Sequence, residues 1–216
     1  VLDIGTATAA TTYDFGGITD DNKTTTLTYT AGGTLASGTV ANWGSIDNVV
    51  IATGQTLTLN AAQASGKNID GAAGGSGSVV VVLDESSGLD FTRISVDTGN
   101  GGTFTASVTS DVTLASDADL GTLVTSVTSG NTLTLTAAQA AGKTFNGEGT
   151  VAITALQADL DADLSNVGTA AKSTFSNIQG SITQNDTIVV DYAGGGNQTI
   201  TIGNVGGDNT TKLAAV

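Results

Sequence analysis

A fourteen-residue block occurs twice in this chain, and that duplication constrains the fold more than any other feature. The first copy, Gly54-Gln55-Thr56-Leu57-Thr58-Leu59-Asn60-Ala61-Ala62-Gln63-Ala64-Ser65-Gly66-Lys67, returns 76 residues later as Gly130-Asn131-Thr132-Leu133-Thr134-Leu135-Thr136-Ala137-Ala138-Gln139-Ala140-Ala141-Gly142-Lys143. The likeness continues through Asn68-Ile69-Asp70-Gly71 and Thr144-Phe145-Asn146-Gly147. A Gly-rich turn then leads into a β run, Ser78 to Leu83 in one copy and Thr150 to Ala155 in the other. A unit that recurs in this way gains a core by stacking on its neighbours rather than by closing on itself.

Each piece of the block has a local physical reading. Thr-Leu-Thr-Leu alternates polar and apolar residues, the period of a strand with one buried face. Asn60 and Thr136 are good N-caps, Ala-Ala-Gln-Ala suits one helical turn, and Gly66 and Gly142 suit the left-handed position that ends it. Each copy therefore reads as strand, capped turn, short strand, glycine bend, strand. Outside the copies, Thr24–Thr30, Thr187–Tyr192 and Asn197–Ile202 read as further strands, while Thr169–Asn177 hints at a second helix. The predicted class is all-β. β-solenoid-like stacked repeats are favoured, with tandem β-sandwiches as the alternative. The organisation expected is a β segment over 1–43, repeat copies over 44–110 and 111–180, and a β segment over 181–216.

Composition decides which core and which chemistry are open to such a chain. At 39% hydrophobic it can bury a core, but with 4% aromatics and neither Met nor Cys that core is built from Val, Ile, Leu and Ala. No disulfide or thiolate site is possible. The absence of His removes the commonest general base and transition-metal ligand. Twenty acidic against six basic residues give a net charge of −14, a field that repels nucleic acid and anionic lipid. The longest apolar run, Val79 to Leu83, is strand-sized, so no membrane insertion is expected. With no Met at its start, the chain is expected to be a processed product or a piece of a longer one.

The Thr-Leu-Thr-Leu-Thr-Ala-Ala-Gln-Ala-x-Gly-Lys block and the segment Asp163-Leu164-Ser165-Asn166-Val167 resemble repeats of large secreted bacterial surface proteins, of the S-layer-like and RTX-type adhesin kinds. That resemblance covers roughly residues 44–167 and implies an exported, calcium-tolerant structural protein. The chain departs from the RTX pattern in having no tandem Gly-Gly-x-Gly-x-Asp nonapeptide; Gly206-Gly207-Asp208 is a fragment of one.

Candidate chemistry is sparse. Without His or Cys, neither a Ser-His-Asp nor a Cys-His arrangement exists, and no catalytic residue is assigned. Lys67 and Lys143 read as solvated charges near a helix C-terminus. Trp43, the sole Trp, reads as a core or interface plug. The run Asp159-Leu160-Asp161-Ala162-Asp163 would place three carboxylates on one face of a strand, where a hard cation relieves their repulsion. Asp117 and Asp119 form its shorter relative, and Ca2+ is the cofactor these five residues would take. The competing reading is an acidic edge that blocks unwanted sheet pairing.

The function expected from these features is that of an extracellular, non-enzymatic subunit of a self-assembling surface layer or filament. Its partners are copies of itself, joined by β-strand addition, with residues 1–15 as a donor strand or the strand-prone stretch 199–216 in that role. The alternative is an adhesin or binding module that meets surface glycans or ice through a flat Thr-rich β face, with Thr56/Thr58 and Thr132/Thr134/Thr136 as its ladders.

Overall fold

The computed structural model describes residues 2–4, 13–18, 24–30, 33–34, 40–86, 88–95, 100–154, 172–175 and 199–200. The chain forms two units, one of Val1–Ser107 with Asp117–Val124, the other of Val108–Ser116 with Thr125–Val216. Every strand pairing among the described residues is parallel, and the sheets wind as a β-solenoid. This decides between the two predicted architectures, because a β-sandwich is built from antiparallel sheets.

The first unit holds β1 (Leu2–Ile4), β2 (Tyr13–Asp14), β3 (Thr26–Tyr29), β4 (Gly33–Thr34), β5 (Val40–Ala41), β6 (Asn48–Ile51) and β7 (Thr56–Asn60). The one-turn helix α1 (Ala61–Ala64), then β8 (Asn68–Gly71), β9 (Ser78–Val82), β10 (Ile94–Ser95) and β11 (Phe104–Val108) follow. One face is the sheet β1-β3-β6-β8-β10 and another carries β4-β7-β9-β11, so every second or third strand returns to the same face. Parallel register then stacks like on like. Leu27, Val49, Ile69 and Ile94 form one buried column, and Leu57, Val79 and Phe104 another. Each fully buried Leu, Val or Ile contributes about 1.5–3 kcal/mol. The alternating Thr and Asn residues point outward.

A third side of this unit is made of corners that share one hydrogen-bond pattern. The amide of Ile18 donates to the Phe15 carbonyl at 3.0 Å, Ile46 to Trp43 at 3.1 Å, Ile94 to Phe91 at 3.2 Å and Leu123 to Leu120 at 3.2 Å. The segments are Asp14-Phe15-Gly16-Gly17-Ile18, Asn42-Trp43-Gly44-Ser45-Ile46, Asp90-Phe91-Thr92-Arg93-Ile94 and Asp119-Leu120-Gly121-Thr122-Leu123. In three of them the leading carboxylate accepts the amide two residues on, at 2.8 Å from Gly16, 3.0 Å from Thr92 and 2.8 Å from Gly121. The apolar second residue is buried in these three, and a buried or half-buried aliphatic residue ends each corner. Three of the four corners are thus Asx-turns, and the coil between Asn42 and Asp90 turns through α1 instead.

The second unit holds β12 (Val112–Thr113), β13 (Val124–Val127), β14 (Thr132–Thr136), α2 (Ala137–Ala140), β15 (Thr144–Gly147), β16 (Thr150–Thr154), β17 (Lys172–Phe175) and β18 (Thr199–Ile200). One face is β12-β14-β16-β17-β18, with Leu133 over Val151 and Leu135 over Ile153 as its buried pairs. The duplicated blocks fold alike. Asn60 caps α1 and Thr136 caps α2, and in each the third helical residue, Gln63 or Gln139, returns a bond to the cap's amide, closing a capping box. Gly66 and Gly142 take φ of 69° and 66°, as expected of glycines that end a helical turn.

One expectation is corrected. The segment expected as a second helix, Thr169–Asn177, contains β17, which runs parallel to β16 with Thr150 opposite Lys172 and Ile153 opposite Phe175. A neighbouring strand offers this Thr- and Ser-bearing segment a ladder that outweighs a weak helical preference. The segment Thr187–Tyr192 lies outside the described residues.

Candidate functional site

Two features of the described residues carry functional weight: strand edges with a partner on one side only, and a flat outer face. In the first unit β1 pairs with β3 alone, Leu2 opposite Leu27 and Ile4 opposite Tyr29, and β4 pairs with β7 alone. In the second, β18 pairs with β17 alone. Such strands present a row of backbone donors and acceptors on the other side, and proteins commonly guard them with Pro, Lys or a covering helix. This chain has no Pro, and β1 has Asp3 as its one charged position.

The outer face over β4, β7, β9 and β11 aligns Thr34, Thr58, Val80 and Thr105 in one column and Asn60, Val82 and Ser107 in another. In the second unit Thr132 lies beside Thr150, Thr134 beside Ala152, and Thr136 beside Thr154. The expected Thr ladders are thus present but interrupted by Val80, Val82 and Ala152. The face over β6 and β8 differs. There the Asn68 amide donates to Asn48 Oδ1 at 2.9 Å, and exposed Asp70 stands on the next outward position.

Of the five acidic residues expected as calcium ligands, Asp159, Asp161 and Asp163 lie outside the described residues. Asp119 acts as a turn acceptor and Asp117 as an acceptor for a distant backbone amide. Asp117 Oδ2 accepts the Gly88 amide at 3.3 Å and Asp119 Oδ1 that of Gly121, while Asp119 itself bridges to Asp90 in parallel. Among the described residues no group of three or more acidic side chains is arranged to hold a metal ion. Asp90 follows the same turn logic, and hydrogen bonds from the Thr92 hydroxyl and amide hold its carboxyl below the usual range.

Lys67 and Trp43 form a latch. The Lys67 ammonium donates to the carbonyls of Ile46 at 2.5 Å and Trp43 at 3.2 Å, and lies 6.0 Å from the indole centroid. The indole Nε1 donates to the Gln63 carbonyl at 2.6 Å, tying this corner to α1. Partial burial pulls the Lys67 pKa down, against the opposing pull of Asp47. Trp43 also tilts against buried Phe15, which Tyr13 stacks upon. The lysine expected as a solvated charge is therefore half-buried and bonded, and Trp43 is half-buried beside it.

No helix among the described residues is long and apolar enough to cross a membrane. The sequence matches no protein-family model and no curated protein, and the fold matches no solved structure.

Proposed function

We propose that this chain is a structural subunit of an extracellular filament or surface layer, assembled by parallel strand addition between copies. The observation that carries this reading is the set of one-sided parallel edges at β1, β4 and β18. Inside the molecule each coil is held by pairing with the next, and the same donors and acceptors at an edge can pair with another copy. A head-to-tail contact of this sort does not close on itself, so it propagates as a polymer. The role is mechanical and non-catalytic, in keeping with a chain that has no His or Cys and in which both latch residues serve a corner. Calcium enters this reading through Asp159, Asp161 and Asp163, since Asp119 caps a turn and Asp117 accepts the Gly88 amide. The reading as a glycan- or ice-binding module has less support, because aliphatic residues break the Thr columns.

Removal of residues 1–15 deletes β1 and β2 and tests the proposal. The truncated chain is expected to remain folded and soluble but to form no polymer in sedimentation and electron microscopy. Assembly unchanged from the full chain would contradict the reading.

A further inference from the structure

The acidic residues described in the structure are unevenly placed. On the outer face over β7, β9 and β11 the described outward residues are Thr56, Thr58, Asn60, Val80, Val82, Thr105 and Ser107, with no charged side chain among them. The outward residues of β14 and β16 are Thr132, Thr134, Thr136, Thr150, Ala152 and Thr154, again without charge. This occurs in a chain with 20 acidic residues and a net charge of −14. All these residues except exposed Thr56 are half-buried, so the face is a close-set lawn of methyls and hydroxyls.

We propose that the charge-free face over β7, β9 and β11 is the surface through which assembled filaments pack side by side on further copies of the same chain. The inference rests on the end-to-end assembly proposed above. Three observations favour a second copy over other occupants. Two molecules of charge −14 can approach closely only where neither presents charge, since burying an unpaired carboxylate is costly. The face repeats at the strand spacing of about 4.8 Å, and a surface with the same repeat is matched by construction. Val80 and Val82 interleave with Thr58 and Thr105, the mixture that lets two sheets interdigitate face to face.

The size of the face sets when this contact forms. Four strands about 4.8 Å apart and about 17 Å long outline roughly 300 Å². A stable protein interface takes about 800 Å² from each partner. A single pair of faces is thus too small to hold a dimer, and lateral packing requires the multiplication of contacts that a filament supplies. End-to-end growth comes first and bundling second.

Electron microscopy of the full chain and of the variant Thr58→Lys/Val80→Glu distinguishes the two steps. Both substitutions replace half-exposed outward side chains, and circular dichroism checks that the coil is retained. Bundled filaments from the native chain and single filaments from the variant are the expected result. Single filaments from the native chain, or bundles unaffected in the variant, would overturn the lateral proposal while leaving the end-to-end one standing. Absence of filaments from either would overturn both. Single native filaments that co-sediment with crystalline cellulose would assign the face to a glycan surface instead and equally overturn self-packing.

Discussion

At Thr125 a hydroxyl occupies an inward position of β13, fully buried, with no hydrogen-bond partner among the described residues. An unsatisfied buried hydroxyl keeps its desolvation cost without compensation. Thr125→Val, which is nearly isosteric, is therefore expected to stabilise the chain by about 1–2 kcal/mol, read as a higher denaturation midpoint at unchanged slope. A lower midpoint would show that the hydroxyl has a partner. The same scale explains the acidic residues. A carboxylate two residues before a glycine or threonine is a turn acceptor, as Asp14, Asp90 and Asp119 are. The Asp-x-Asp spacing that makes Asp117 and Asp119 look like ligands instead sets one acceptor toward Gly88 and one on its own corner. Sequence carries no means of separating the two uses until the amides of Gly88 and Gly121 are placed beside them.

At the scale of the element, the capped turn is the test case. Asn60→Ala removes the acceptor of the Gln63 amide and should cost about 1 kcal/mol, whereas Asn60→Gly should cost only a few tenths. Equal losses in urea denaturation would mean that the cap contributes through packing instead. Strands, caps and terminating glycines of the duplicated block were legible in the sequence because their signals are local: alternation for β7 and β14, Asn60 and Thr136 before an Ala-rich turn. Coil length was not. The register advances by 22 residues from Leu57 to Val79 and by 18 from Leu133 to Val151, so the 76-residue duplication spans several coils and conceals their period. The corner segments led by Asp14, Asn42, Asp90 and Asp119 mark single coils except between Asn42 and Asp90, where α1 takes the place of a corner. Only an Asx residue, a large apolar residue and a closing aliphatic are common to them, too degenerate to stand out in a chain this rich in Asp, Asn and Gly. Asp163-Leu164-Ser165-Asn166-Val167 has the same pattern in sequence. The strand at Lys172–Phe175 escaped notice for a related reason: its ladder partner, β16, is about twenty residues away, and pairing rather than local preference decides its state.

For the whole molecule, function follows from what repetition leaves exposed. Stacking buries the aliphatic columns and satisfies the backbone of interior coils, and it leaves one-sided edges at strands such as β1 and β18. The charge-free outer face was not readable in advance, because Thr58, Val80 and Thr105 become neighbours only through register. The central claim is that copies add to one another along the direction in which coils stack. Fibre diffraction from aligned assemblies of the full chain tests it most directly. The claim requires a reflection near 4.8 Å along the filament axis, from strands lying across that axis at the spacing of a parallel sheet. A reflection of that spacing perpendicular to the axis would mean that growth does not continue the coil stack, and the claim would fail.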